Sequence, residues 1–215
     1  MAKVVYTNRE ILVNSLVVLV CLLAVFFFPT EGLFQDLISM AVFLIATPIL
    51  YVKLILKKDL AEFGFQMGDW KEGIWGMLTA FLFSAPLLYI LINYTDLLQK
   101  QDPLKIMQGR FGDFLYYEAV FSLALVLMFE IFLRGFVLLG TARKIGIWSI
   151  GLQFLLTLLL IWIIDIFPLG ISYYLILGSF FSGIIAYRSR SLIFGLAFNV
   201  LFVLIADAVV IKLLK

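Results

Sequence analysis

Long apolar stretches separated by short charged segments constrain this chain more than any other feature of its sequence. An α-helix needs about 20 apolar residues to cross the hydrocarbon core of a membrane. Lipid offers no hydrogen bonds to backbone N–H and C=O groups, so a chain that enters it in such stretches forms helices. The sequence predicts seven helical spans, near residues 10–28, 33–56, 73–94, 114–140, 146–167, 170–187 and 191–212.

The composition leaves little room for structure outside a membrane. Hydrophobic residues make up 64% of the 215 residues and charged residues 14%, whereas soluble domains average about 45–50% apolar and 25% charged residues. Seven spans with short connections use almost the whole length. We therefore expect a single integral membrane domain over residues 1–215, folded as an all-α polytopic bundle. Its first stretch is expected to be an uncleaved anchor, because no small-residue cleavage site follows it.

Charge and the absence of histidine exclude several classes of function. The net charge is +2 and the basic residues form no patch, so nucleic acid is not an expected partner. The apolar spans make membrane lipid an expected partner. The chain has no histidine, which excludes Ser-His and Cys-His catalysis and His-ligated zinc. Cys21 is the single cysteine, so no disulfide framework or thiol metal site is predicted. We expect no cofactor and no bound metal.

The distribution of basic residues predicts an orientation. Ten Lys and Arg residues fall on the same side of the predicted spans as the N-terminus, and five fall on the other side. Cytoplasmic loops carry the excess of positive charge, so the N-terminus is predicted to be cytoplasmic. The segment Lys57–Lys71 mixes aromatic and charged residues and is expected to lie along the cytoplasmic interface. The polar loop Thr95–Asp113 is then external.

A few polar side chains fall inside the predicted spans, where they are costly and often functional. Glu130 and Arg134 are four residues apart, on one helix face and close enough to pair. Counted at about 1.5 Å per residue, Asn199 and Gln153 lie at a similar depth on other spans. These four residues are predicted to meet. They either neutralise and hydrogen-bond one another as structural contacts between helices, or form a functional site.

Other polar and small residues favour less specific interpretations. Asp207 lies near the external end of its span, where a hydrated carboxylate costs little, and Glu118 beside Tyr116 and Tyr117 is typical of an aromatic belt. In the sixth span, small residues four apart give a face that lets another helix approach closely. Ordinary packing within the bundle is favoured over a dimer interface for this face, which comprises Gly178, Ser179, Ser182 and Gly183.

The segment FEIFLRGFVLLG around Glu130 resembles the CPBP family of intramembrane proteins, the Abi-type family of CAAX prenyl proteases and bacteriocin-processing proteins. Three further pieces carry the resemblance in the same order: the EFGFQMGDWKEG segment, a short basic turn, and the closing LGSFFSGIIAYRSRSLIFGLAFN. The resemblance covers most of the chain. It implies a CPBP-type helical bundle in a bacterial cytoplasmic membrane, where a glutamate and a histidine activate water to cut a peptide.

The family pattern reads EExxxR, FxxxH and HxxxN or HxxxD, and the chain matches only part of it. Glu130 occupies the second glutamate position, Arg134 the arginine position and Asn199 the second histidine position, so these three are the candidate catalytic residues. Apolar residues occupy the remaining positions of the first glutamate, the first histidine and the last asparagine, and they are Phe129, Ile161 and Val203.

We therefore expect a catalytically degenerate protease homologue that acts as a membrane interaction or regulatory subunit. Its partner would be another membrane protein or a transmembrane peptide segment held between helices. The alternative is an active glutamic-type intramembrane endopeptidase that uses Glu130 without histidine. A transporter is less favoured, because the sequence has no inverted repeat and no paired interrupted helices.

Overall fold

A computed structural model describes residues 8–94, 110–163 and 169–213, and this part of the chain is helical without a β-strand. The predicted external loop Thr95–Asp113 lies largely outside these ranges. A short 3₁₀ turn, Leu60–Phe63, precedes α3. The helices are α1 (Asn8–Phe27), α2 (33–55), α3 (Trp70–Tyr94), α4 (Phe111–Ile145), α5 (Trp148–Ile163), α6 (Leu169–Ser189) and α7 (Leu192–Leu213).

Four of the described helices are long and apolar enough to cross a membrane, which is the make-up of an integral membrane protein. They comprise most of α2 and the whole of α3, α4 and α7, at Phe34–Ile55, Trp70–Tyr94, Phe111–Ile145 and Leu192–Leu213. The apolar parts of α1 and α5 are shorter, at Leu12–Phe27 and Trp148–Trp162. The all-α architecture is as predicted from the sequence, and the count of seven spans stays a prediction.

Helix α4 is the centre of the bundle. Within its most apolar window 78% of the residues are buried, whereas the corresponding share for α3 is 22%. The second half of α4 contacts α5, α6 and α7, and α6 in turn packs against α3, α5 and α7. Polar residues in the middle of α4, such as Glu130 and Arg134, therefore face protein, while most of α3 faces outward.

Two stretches of α4 are wound as π-helix, and each begins at a glutamate. They are Glu118–Ser122 and Glu130–Leu139. A π-helical turn bonds residue i to i+5 and is wider than an α-turn, and such turns occur often at functional sites. In α2, π-helical stretches flank Pro48, whose ring cannot be accommodated in a regular helix interior. The widened turns of α4 mark the two places where its acidic side chains enter the bundle.

The segment between α2 and α3 is docked onto one end of the bundle. Phe63 is 2% exposed, and its ring stacks on Phe136 with centroids 6.1 Å apart. The backbone N–H of Leu192 donates to the Gly64 carbonyl at 2.9 Å, and that of Asp69 donates to the Ser189 carbonyl at 2.7 Å. The segment predicted to lie along the interface is thus also a structural cap on α4 and on the α6–α7 turn.

Ion pairs gather the basic residues of the N-terminal side at this same end. The Lys58 ammonium lies 3.5 Å from Glu10, and the Arg143 guanidinium lies 2.9 Å from Glu62. These contacts bring the start of α1, the α2–α3 segment and the end of α4 together. The described basic residues that were counted on the same side as the N-terminus therefore lie at one end of the molecule. Which membrane face this end occupies stays a prediction.

Candidate functional site

Glu130 and Arg134 form a buried ion pair in the π-helical part of α4. The Arg134 Nε lies 3.3 Å from Glu130 Oε1, and each side chain is 1% exposed. Spacing of four residues places both on one face of the helix, as the sequence predicts. A buried pair of this kind stays favourable only when further hydrogen bonds satisfy its remaining polar atoms. The surrounding contacts therefore determine what the pair can do.

Two further contacts hold the Arg134 guanidinium. Its Nε donates to the Ser182 hydroxyl of α6 at 2.7 Å, and its Nη1 donates to the backbone carbonyl of Phe129 at 3.2 Å. The Phe129 ring itself is buried in the apolar core. The position that the CPBP resemblance assigns to a first glutamate thus contributes only a backbone acceptor. Arg134 is fixed between α4 and α6.

Asn199 on α7 completes the cluster. Its Nδ2 donates to Glu130 Oε1 at 2.5 Å. A glycine faces each partner of this bond: a Cβ added at Gly178 would overlap the Asn199 amide, and one added at Gly195 would lie 3.0 Å from Glu130 Oε2. Close approach of three helices thus depends on glycine at these positions. The structure brings together all three candidate residues of the sequence, Glu130, Arg134 and Asn199.

Gln153 belongs to a separate polar network between α5 and α6. Its Nε2 donates to the Ser179 carbonyl at 3.2 Å, and the hydroxyls of Ser179 and Thr157 share a hydrogen bond of 2.6 Å. Gly183 leaves the space that the Gln153 amide occupies. The four polar residues expected in one site therefore divide into two networks. The small-residue face of α6 serves packing within the bundle, as predicted from the sequence.

The cluster can hold one negative charge but has few groups for proton transfer. Arg134 and Asn199 stabilise the Glu130 carboxylate, and the family's remaining polar positions are occupied by buried Val203 and partly buried Ile161. General acid–base hydrolysis needs a poised base and donors for the developing oxyanion. Within this cluster Glu130 Oε2 has no hydrogen-bond partner among the described residues, so one acceptor position remains for a donor group.

A second pair of acidic residues was misjudged from the sequence. Asp207 was expected at a hydrated outer end and Glu118 in an aromatic belt at the outer interface, but they are 0% and 5% exposed. Their two carboxyl groups face one another across α4 and α7. Depth along a span does not reveal which face of a helix packs against a neighbour. One signal was present: Asp207 follows Asn199 by eight residues, which places both on one helix face.

No three potential metal-ligating side chains cluster anywhere in the described ranges. The expectation of a metal-free protein stays a prediction.

Comparison of the chain with models of protein families, with curated proteins and with solved structures found no match.

Proposed function

We propose that this chain is a CPBP-type multi-pass membrane protein whose protease site has degenerated and which acts as a membrane interaction or regulatory subunit. In this proposal it crosses a bacterial cytoplasmic membrane seven times with its N-terminus in the cytoplasm. Its partner is another membrane protein or a transmembrane peptide segment. Lipid surrounds the outward faces of its helices.

The observation that carries this proposal is the closure of the Glu130 cluster. Glu130 and Arg134 are each 1% exposed. Arg134 donates to Ser182 of α6, and Asn199 of α7 donates to Glu130, so three helices enclose the pair. A hydrolase must bring a peptide bond and a water molecule to its base. A carboxylate that is already held by a guanidinium and an amide instead favours a role in joining helices.

The apolar residues at the other motif positions support the same interpretation. Val203 lies four residues after Asn199 and is 3% exposed, and the Phe129 side chain is 2% exposed. Neither side chain can transfer a proton or stabilise an oxyanion. In this proposal the chain keeps the CPBP-type helical bundle but lacks the acidic, histidine and asparagine side chains at the remaining motif positions. A binding role needs the shape of the bundle and not those groups.

Purification from native membranes tests the interaction role. We expect a membrane protein to copurify at a fixed ratio after mild solubilisation, and the ratio to be kept in a Glu130→Gln variant, because binding does not use the carboxylate as a base. Native mass spectrometry of the purified complex gives the ratio. Recovery of the chain alone, with no stoichiometric partner, would contradict the proposal.

The alternative is a glutamic-type intramembrane endopeptidase, and one observation favours it. Glu130 Oε2 has no hydrogen-bond partner within the described structure and faces Gly195, so a water molecule held there could be polarised. The Asn199 amide beside it is a potential oxyanion donor. This alternative requires cleavage of a membrane-proximal peptide that depends on Glu130.

A further inference from the structure

A cavity of about 190 Å³ lies between α4 and α7. Its walls are almost entirely apolar, and Leu115 and Ala119 on its rim are exposed. Glu118 precedes Glu130 by twelve residues, which corresponds to about 18 Å along the helix. The lining includes Glu118 and Ser122 and extends along α4 to Val126, so the cavity ends one turn before Glu130 and does not include the ion pair.

The two polar side chains of this cavity are buried, and each has one oxygen without a hydrogen-bond partner among the described residues. Glu118 is 5% and Ser122 is 3% exposed. Glu118 Oε1 and Ser122 Oγ have no hydrogen-bond partner among the described residues. Both belong to the π-helical stretch Glu118–Ser122, which turns them to the same side of α4. Buried polar atoms are normally satisfied, so an unmatched pair lining a cavity indicates a missing donor.

Asp207 adds a second acidic group directly behind Glu118. It is 0% exposed, and its carboxyl group lies within hydrogen-bonding reach of the Glu118 carboxyl and the Tyr174 hydroxyl. The described ion pairs include no Lys or Arg partner for Glu118 or Asp207. A positive charge placed in the cavity would meet the Glu118 side chain, and the Asp207 carboxyl lies behind Glu118, outside the lining.

We propose that this cavity binds a small lipophilic primary amine in its ammonium form, with the ammonium group on Glu118 and Ser122. An ammonium group has three N–H donors and no acceptor, and it can donate both to the Glu118 carboxylate and to the hydroxyl oxygen of Ser122. The apolar walls bind the hydrocarbon part of the ligand, and a cavity of about 150 Å³ already holds benzene. The site therefore suits a ring or a chain of about six carbons.

A bare metal cation fits the cavity less well than an amine. Hard cations such as Ca²⁺ take about six to eight oxygen ligands, whereas Glu118 and Ser122 are the polar side chains of the lining. A metal ion would also leave the apolar walls without a ligand contact. The rim reaches exposed residues of α4, so an amine dissolved in the membrane can enter from the side.

Thermal unfolding of the solubilised full-length chain with n-hexylammonium chloride tests this site. We expect a saturable rise in the unfolding midpoint at constant ionic strength. Glu118→Gln should raise the half-saturation concentration at least tenfold, because the amide lacks the charge. Asp113→Asn is the matched control on the same helix, since Asp113 is exposed, and it should leave the response unchanged.

Ala119→Phe provides a second variant that keeps both carboxyl groups but fills the cavity, and it should abolish the response. n-Hexanol, which has the same chain without the charge, should give no saturable rise. The proposal is wrong if hexylammonium has no effect on the parent chain, if hexanol acts equally, or if both Glu118→Gln and Ala119→Phe respond like the parent.

The same unfolding experiment, repeated with sodium chloride and with a helical peptide, distinguishes the amine from two other occupants of the cavity. A rise with sodium chloride that requires Glu118, without a response to hexylammonium, would replace the amine by an inorganic cation. A rise only with an apolar helical peptide that carries one central lysine would instead assign the site to a partner's transmembrane segment. Either outcome overturns the amine proposal.

Discussion

At the residue scale, the ion pair of Glu130 and Arg134 makes a strong prediction about stability. Removing one partner of a buried pair leaves an uncompensated charge and costs about 3–5 kcal/mol. Arg134→Ala should therefore lower the unfolding midpoint of the solubilised protein strongly. Glu130→Gln should be milder, because the amide oxygen still accepts from the guanidinium.

A matched control for this prediction lies at the basic end of the bundle. Arg143 pairs with Glu62 at 2.9 Å, but both side chains are partly exposed, and exposed pairs contribute about 0–1 kcal/mol. Arg143→Ala should therefore change the midpoint little. An equal fall in the unfolding midpoint for Arg134→Ala and Arg143→Ala would show that the buried ion pair contributes no more to stability than the exposed one.

Glycine positions in the cluster make a second prediction at this scale. A Cβ at Gly178 would overlap the Asn199 amide, whereas nothing lies within 4 Å of the position that a Cβ would take at Gly151. Gly178→Ala should therefore displace Asn199 and destabilise the protein, while Gly151→Ala should be neutral or stabilising by up to about 1 kcal/mol. Chemical denaturation of both variants measures the difference. Indistinguishable unfolding curves would contradict the packing described here.

Residue spacing predicts local pairs better than contacts between helices. The pairing of Glu130 with Arg134 follows from their separation by four residues and requires no knowledge of the fold. The meeting of Glu118 with Asp207 depends on how α4 and α7 cross. Sequence position gives the depth of each carboxyl group but not its neighbour, so Asp207 was assigned to a hydrated end and Glu118 to the aromatic belt. Gln153 was misplaced for the same reason: its depth matched Glu130, but its helix face meets Ser179.

At the element scale, the docking of the α2–α3 segment depends on one aromatic side chain. Phe63 is buried against Phe136 of α4, and truncation of a buried Phe to Ala costs about 3–5 kcal/mol. Phe63→Ala should release the segment and speed amide hydrogen exchange over residues 60–69. Phe65→Ala is the control, because Phe65 is 40% exposed. Unchanged exchange in Phe63→Ala would mean that the segment is held by its backbone hydrogen bonds alone.

The helical character of each element was predictable because long apolar stretches dictate helices in lipid. The π-helical turns were not, since the composition of an apolar stretch does not distinguish a π-turn from an α-turn. These turns matter here, because each begins at the glutamate of a polar cluster. The docked α2–α3 segment also escaped prediction. Its contacts join residues that are more than a hundred positions apart.

At the scale of the whole molecule, the orientation prediction can be tested at the two ends of α3. Met67 and Tyr94 are 60% and 80% exposed, and the helix between them is long enough to cross a membrane. On a Cys21→Ser background, an impermeant maleimide should label Tyr94→Cys in intact cells. It should label Met67→Cys only after permeabilisation. The reverse pattern would overturn the predicted cytoplasmic N-terminus.

Cleavage by the purified chain in proteoliposomes, with a membrane-proximal peptide as substrate, tests the central claim that Glu130 serves structure and not catalysis. The parent protein and the Glu130→Gln variant are compared at equal, verified folding. We predict no cleavage above the background of empty liposomes for either protein, because Glu130 is held by Arg134 and Asn199 in a closed cluster. Cleavage by the parent that disappears in a well-folded Glu130→Gln variant would contradict the account and establish the endopeptidase.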